Sequence, residues 1–525
     1  MSDIVLATLN AKYIHASLGL RCLRANMGEL RERTRLCEFT IAQKPVDIVE
    51  RLLALQPRIV GFGVYIWNVV ETTQVVRLLK ALRPQLVVVL GGPEVSHETD
   101  GQEICRLADH VVTGWGDVSF PELCRALLHG PRPLMKVIAG RQPPLQDLAL
   151  PYDEYTDEDL AHRLLYVEAS RGCPFKCEFC LSSLDKTAWA FELDRFLAAM
   201  ARLHERGARN FKFVDRTFNL KIEASARILE FFLARLDERL FVHFEVVPDH
   251  LPERLKQLIA RFPAGTLQFE VGIQSFDAEV QARISRRQDN ARTAENLQWL
   301  VQRSQAHVHA DLIFGLPGET LESFAAGFDR LAALAPHEIQ VGVLKRLRGT
   351  PIVRHTEAHG MVYDPVPPYA ILQTGTADFA TVQRVSRFAR YWDLVANAGR
   401  LPRTLALLLG EARHFERFLA FSDHLWASTG KTHQIGFEPL VDALHDYLCG
   451  PLRLPADGVR QAVEQDYRAS GARGKPRCLA GASTLHGPAS RHREAGKPLA
   501  ERQGRHLAAQ QTVQAAPAHQ ETLDS

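Results

Sequence analysis

No stretch of the chain approaches the roughly 18 consecutive apolar residues that span a bilayer, and the opening Met1-Ser2-Asp3-Ile4-Val5-Leu6 lacks the charged-then-apolar order of a secretion signal. These absences argue against a membrane span and for the cytoplasm. Charge of one sign is missing too: 63 Lys+Arg stand against 61 Asp+Glu, a formal net of +2, so bulk charge makes no case for nucleic acid or a membrane surface. Cysteine is scarce, with nine in 525 residues, too few for a disulfide framework. After Tyr467 there is no aromatic residue and no isoleucine, so residues 466–525 cannot bury enough apolar area to offset ordering and are expected to be disordered.

What is present is a repeated alternation of short β-rich runs with helical periods. Over residues 1–130, Ile4-Val5-Leu6-Ala7, Arg58 to Val64, Leu86 to Leu90 and His110 to Thr113 alternate with patterns such as Leu18 to Leu30 and Val70 to Leu82. This predicts an α/β, doubly wound, Rossmann-like domain whose glycine-rich strand ends, Gly91-Gly92-Pro93 and Gly114-Trp115-Gly116-Asp117, mark a ligand edge. Residues 131–160, rich in proline and acid, read as a linker. Over 161–350 six strand candidates recur, near Leu165, Phe211, Phe241, Leu267, Val308 and Ile339, which predicts a (β/α)6 partial barrel working at its carboxyl strand ends. Residues 351–465 read as a helical C-terminal region.

Six cysteines are scattered singly. Cys173, Cys177 and Cys180 instead fall in one loop after the first barrel strand, spaced Cys-x3-Cys-x2-Cys. Three thiolates this close can face one inorganic centre, and a four-iron cube held by three sulfurs keeps one iron open. The alternative is a zinc knuckle with His162, His204 or His243 as fourth ligand, although structural zinc motifs usually come as two short-spaced pairs.

With Phe179 before the last cysteine, this loop resembles the signature of the radical S-adenosylmethionine (SAM) superfamily. The resemblance implies a 4Fe-4S cluster on Cys173, Cys177 and Cys180 whose open iron binds SAM and whose electron cleaves it to a 5′-deoxyadenosyl radical. Phe269-Glu270-Val271-Gly272-Ile273-Gln274-Ser275-Phe276 with Arg286, and Asp311-Leu312-Ile313-Phe314-Gly315-Leu316-Pro317-Gly318-Glu319, are similar to the branch containing oxygen-independent coproporphyrinogen oxidase. That likeness implies SAM contacts at Gln274, Arg286 and Asp311. Glutamine and aspartate suit ribose hydroxyls, and arginine suits a carboxylate. A solvated helix end for Arg286 and a strand cap for Gln274 remain the bland alternatives. Asp215 stands where the family binds the SAM amine, without the family's glycines. Glu245 suits ribose, substrate or a neighbouring arginine.

A doubly wound domain ahead of such a barrel resembles the cobalamin-binding-domain-containing class of the superfamily. Gly91, Gly92, Gly114 and Gly116 would then let the corrin tail approach the backbone, with Trp115 and Asp117 where glutamates usually stand. Asn10-Ala11-Lys12-Tyr13-Ile14-His15 departs from the Asp-x-His motif of cobalamin mutases, so His15 reads as an axial cobalt ligand or, more simply, as a polar or capping histidine. His307 and His309 read as a hydrogen-bonded core pair, and Lys345, Arg346 and Arg348 as a solvated rim or an anion site.

The class implies a cytoplasmic transferase: methyl transfer from methylcobalamin to an unactivated carbon of a small molecule, with an electron donor such as flavodoxin or ferredoxin and no role for nucleic acid. Radical oxidation or ring formation without cobalamin is the alternative enzyme, and a corrinoid or iron–sulfur carrier the non-catalytic one. Methylthiolation of tRNA is disfavoured, because Cys22, Cys37, Cys105 and Cys124 are isolated rather than grouped as a second cluster motif.

Overall fold

The computed structural model describes residues 3–480 and 505–506. Its first sheet is parallel and ordered β2-β1-β3-β4-β5-β6, with β1 (Ile4–Asn10), β2 (Thr34–Thr40), β3 (Ile59–Gly63), β4 (Val87–Gly91), β5 (His110–Thr113) and β6 (Val137–Ala139). Every residue of β1 is buried, because alternate side chains feed apolar clusters on the two faces: Val5, Ala7 and Leu9 on one, Ile4 and Leu6 on the other. The order reverses between β1 and β3, so a crevice opens there at the carboxyl ends.

Two strands of this sheet were not foreseen. β2 is an edge strand in which charged Arg35 and Glu38 interrupt the apolar run, and β6 rises from the proline-rich stretch read as linker, where three residues suffice to pair with β5. The helix predicted over Leu18 to Leu30 ends at Ala25, and the chain continues as a 3-10 turn at Gly28–Arg33.

The second sheet is also parallel, ordered β14-β13-β12-β11-β10-β7: β7 (Leu165–Val167), β10 (Asn210–Phe213), β11 (Phe241–Val246), β12 (Leu267–Gln274), β13 (His307–Phe314) and β14 (Glu338–Val343). All six barrel strands lie near the positions predicted. Between β7 and β10 a two-residue antiparallel pair intervenes, β8 (Ser170–Arg171) with β9 (Trp189–Ala190). Along the barrel strands one parity is apolar, as in Phe211, Phe213, Phe244 and Phe269, and packs in the main core. The other parity carries Lys212, His243, Glu245, Glu270, His309 and Asp311, so the concave side is polar.

Helices Phe379–Trp392, Pro402–Leu409, His414–Thr429, Phe437–Cys449 and Ala456–Ala469 cover one end, joined to the barrel through contacts among Phe328, Phe388, Trp392 and Phe415. Of the stretch expected to be disordered, 466–480 is ordered: Tyr467 and Leu479 are buried against neighbouring helices, which supply the apolar area the segment itself lacks. Residues 481–504 and 507–525 lie outside the described residues. Among the described residues no helix is long and apolar enough to cross a membrane.

The two sheets are joined by buried charge. Arg21 bonds Glu38 at 2.9 Å and Asp159 at 2.8 Å, and Arg163 bonds the same Glu38 at 2.9 Å. On the far side Arg348 reaches Glu94 and Glu98, each at 3.0 Å, while Arg346 reaches Glu98 at 3.0 Å and Tyr369 donates to Glu94. Arg346 and Arg348 are thus an interdomain clamp, neither solvated rim nor anion site. Arg21→Met would leave two buried carboxylates short of a partner and is expected to cost about 3–5 kcal/mol, read as a fall in the urea unfolding midpoint.

Candidate active site

The β8–β9 pair closes the base of the loop that carries the three cysteines. Gly172 takes φ +84° there, and a Cβ would lie 2.2 Å from the Thr187 carbonyl oxygen, so the closure requires glycine. Ser183 Oγ donates to the Cys177 and Cys180 carbonyls at 3.0 and 2.7 Å. Glu178, buried inside the motif, accepts from Ser285 Oγ at 2.5 Å, from His355 at 2.8 Å and from Arg354, and its N–H donates to the Ile284 carbonyl. The loop is therefore anchored on the segment that presents Arg286.

Cys173, Cys177, Cys180 and Phe179 line a cavity of about 240 Å³ at the strand ends, together with Glu245, Glu270, Gln274, Arg286 and Asp311. Burial pushes the Cys173 thiol up to about 11 and raises that of Cys177, which Arg286 opposes from 3.6 Å. Holding such thiols as thiolates requires a cationic centre. Among the described residues no three Cys, His, Asp or Glu side chains sit close enough to grip a single metal ion, and His162, His204 and His243 do not line the cavity. The arrangement disfavours zinc and fits a centre the size of an iron–sulfur cube.

On the opposite wall, Gln274 ends β12 at φ +71°, after a bulge between Gly272 and Gln274. Its buried Oε1 has no hydrogen-bond partner. Asp311 Oδ1 is likewise unsatisfied: His309 Nε2 lies 3.1 Å away but off the direction of a hydrogen bond, and burial raises the carboxyl above its ordinary range. Two orphaned acceptors cost about 1–3 kcal/mol each unless a ligand donates to them, which suits the hydroxyls of a ribose. Arg286 bonds the Gly272 carbonyl and Gln288 and turns Nη1 toward Cys177. Against the opposing effect of burial, His243 and Lys212 hold the Glu270 carboxyl well below its usual range. His307 Nε2 bonds Glu338 at 3.0 Å, as the simpler reading of that strand expected, whereas His309 stands between Asp311 at 3.1 Å and Glu338 at 3.6 Å on the polar side of the barrel.

Asp215 is not part of this wall. Its oxygens accept from Ala169 N at 2.9 Å and Ser170 Oγ at 2.6 Å, and burial lifts its pKa to about 7, so it braces the approach to the cysteine loop and does not face a SAM amine.

A second cavity, of about 440 Å³, opens at the carboxyl edge of the first sheet and is walled on its other side by the barrel. Gly91, Gly92, Gly114 and Gly116 all line it. Gly92 takes φ +106°, and a Cβ would meet the Val64 carbonyl oxygen at 2.5 Å. The cavity continues down the sheet face to Leu6, Gly61 and Val89, a slot for an elongated tail, and Asp117 Oδ1 is buried beside it without a partner. These features fit the nucleotide arm of a corrinoid laid along the sheet face, with the glycine turns at its mouth. His15 lies elsewhere: its Nδ1 is 2.8 Å from the Tyr166 hydroxyl, so it joins the domains and lines neither cavity.

Four contributors were missed in the sequence. Gly61 lies within β3 and Gly63 ends it, and both were readable as glycines of another strand. Arg171 was not: it donates to Asp117 Oδ2 and Glu168 Oε1, each at 2.8 Å, and to Cys22 Sγ at 3.3 Å, with its guanidinium 5.1 Å from the Trp115 ring. Arg216 lines both cavities. Two outcomes are expected here. Replacing any one of Cys173, Cys177 or Cys180 by alanine should drop reconstituted iron and sulfide to background in a colorimetric assay. Because its raised pKa favours the protonated acid in the folded state, Asp215 contributes stability at pH 4 that is lost as pH rises through 7. Asp215→Asn should therefore gain on wild type by roughly 4 kcal/mol over that window in urea titrations.

A family model for the radical SAM superfamily matches residues 167–331, and one for the B12-binding domain matches residues 4–124. An uncharacterised methyltransferase of Pyrococcus horikoshii is 31% identical over 211 residues, covering 35% of this chain and 45% of that protein. The cobalamin-dependent radical SAM methyltransferase TokK of Streptomyces tokunonensis is 23% identical over 462 residues, 78% of this chain and 64% of TokK. The chain thus spans about half to two thirds of these curated relatives. Among solved structures, the radical SAM methyltransferase TsrM of Kitasatospora setae with cobalamin and a [4Fe-4S] cluster bound superposes with TM-score 0.55 at 19% identity, over 70% of this chain and 82% of TsrM, a likeness of fold. The chain carries a radical SAM domain over residues 167–331, preceded by a B12-binding domain over residues 4–124.

Proposed function

We propose that this chain is a cobalamin-dependent radical SAM enzyme that methylates an unactivated carbon of a small-molecule substrate. One observation carries the reading: the cavity holding the cysteines and the orphaned Gln274 and Asp311 acceptors shares a wall, Arg216, with the glycine-lined cavity of the first domain. A carrier of either cofactor would need neither the orphaned acceptors nor the junction. The relation to TokK supports methyl transfer.

When bound, the reduced cluster supplies the electron that splits SAM into methionine and a hydrogen-abstracting adenosyl radical, and cobalamin supplies a methyl group carried on cobalt. The chain's own residues do the rest. Cys173, Cys177 and Cys180 hold the cluster, and Phe179 walls it. Gln274 Oε1 and Asp311 Oδ1 accept ribose hydroxyls, and Arg286 takes the methionine carboxylate. Gly91, Gly92, Gly114 and Gly116 admit the corrin arm to the backbone. The buried Arg171 and Glu178 knots keep the cysteine loop seated, so that water stays out of the junction. The electron comes from a reduced flavodoxin or ferredoxin in the cytoplasm.

The test uses protein purified without oxygen and reconstituted with iron, sulfide and hydroxocobalamin. The expected result is a reduced 4Fe-4S EPR signal that shifts on adding SAM, about one cobalt retained after desalting, and release of S-adenosylhomocysteine as well as 5′-deoxyadenosine with substrate present. A cluster signal indifferent to SAM would overturn the reading. Gln274→Ala and Asp311→Ala should each weaken SAM binding about 10- to 100-fold in EPR titrations while leaving the cluster content intact.

A further inference from the structure

The junction between the cavities also bears on the chemistry of the substrate. Arg216 follows β10, and half of its side-chain area is accessible although the residue lies deep between the domains, because it faces the two cavities. Its Nη1 alone serves Glu245, donating to Oε1 at 2.9 Å and Oε2 at 2.7 Å. Nε and Nη2 make no hydrogen bond with any described residue. The edge of a guanidinium that grips a carboxylate through two parallel N–H···O bonds is therefore open.

The other arginines of the two cavities are placed differently. Arg171 is spent on Asp117 and Glu168, Arg286 is turned to the cysteine side, bonding the Gly272 carbonyl and Gln288, and the exposed Arg287 lines the cysteine cavity but not the junction with the first domain. Glu245 pins the guanidinium across the junction and cancels its charge. A second carboxylate then leaves one net negative charge at the site, whereas a phosphate dianion would crowd three negative charges around a single cation. The pairing selects a monoanion.

We propose that the junction is the substrate site and that Arg216 is its specificity-determining residue, taking a substrate carboxylate on its Nε/Nη2 edge while Glu245 holds the guanidinium in place. The substrate is accordingly a small carboxylic acid. Its carboxylate is anchored at the wall, and its remaining carbons lie between the SAM side and the corrin side. This rests on the methyl-transfer reading.

The experiment incubates reconstituted holoprotein, SAM labelled with deuterium in its methyl group, and a library of small carboxylic acids, each paired with its methyl ester. Labelled products are identified by mass spectrometry. The expected result is label in one or more acids and not in their esters. For such an acid, Arg216→Ala should raise KM about 10- to 100-fold, and Arg216→Lys should recover part of the loss. The SAM dissociation constant from EPR titration and the retained cobalt should stay at wild-type values in both variants, while the melting temperature of Arg216→Ala falls because Glu245 loses its partner. Labelling of an ester as efficient as that of its acid would overturn the proposal. So would an Arg216→Ala protein whose SAM affinity or cobalt content falls as far as its product, since the arginine would then serve a cofactor. Absence of any label and of S-adenosylhomocysteine, with the EPR signal still answering to SAM, would reject methyl transfer itself and this proposal with it, and is distinguishable from the other failures.

Discussion

The structure depends on a buried cation that cannot be left alone. Arg171 stands two residues before Cys173, and its guanidinium is shared by Asp117 of the first domain, Glu168 of the first barrel strand's end and the Cys22 thiol. Removing either domain from the other would uncover this charge and strand two carboxylates, a cost that burial makes large. Burial alone would protonate Glu168, and the same guanidinium opposes that. The turn beside the glycine-lined cavity and the loop of thiols are thereby tied to one another through a single side chain.

The far edge repeats the device with different residues. Glu94 and Glu98, just beyond the Gly91-Gly92-Pro93 turn, receive Arg346, Arg348 and Tyr369 from the segment after the last barrel strand. With Arg21, Glu38, Asp159 and Arg163 as a third set, the two sheets present their carboxyl edges to one another at a defined separation. That separation is what makes two cavities adjoin at Arg216. In solvent such ion pairs would add little, but between two domain faces they are directional and shielded.

Much of this was legible in the chain. The barrel strands alternate apolar with polar residues, so both their number and their positions follow from period. Cys173, Cys177 and Cys180 share one loop, and the structure brings Gln274, Arg286 and Asp311 to the same cavity from two strand ends and the segment between them. Edge strands were harder. β2 is broken by two charges, the exposed Arg35 and Glu38, the latter bonded to Arg21 and Arg163 from other segments, and β6 is too short to show a period. Asp215 and His15 were legible only as acid and imidazole. Their neighbours Ala169, Ser170 and Tyr166 lie 46, 45 and 151 positions away, and spacing says nothing about such partners.

By itself, then, the sequence determined the layers, the two candidate ligand edges and the three-thiol loop, because these are set by local period, glycine placement and close spacing. Tertiary structure decided which polar residues are consumed in holding domains together and which are left unsatisfied. Arg346, Arg348 and His15 fall in the first group, Asp215 is consumed within the barrel, and Gln274 Oε1, Asp311 Oδ1 and the open edge of Arg216 fall in the second. The reason is physical: whether a buried polar atom is a brace or a binding group depends only on what stands within about 3 Å of it, and in this chain those neighbours come from distant segments.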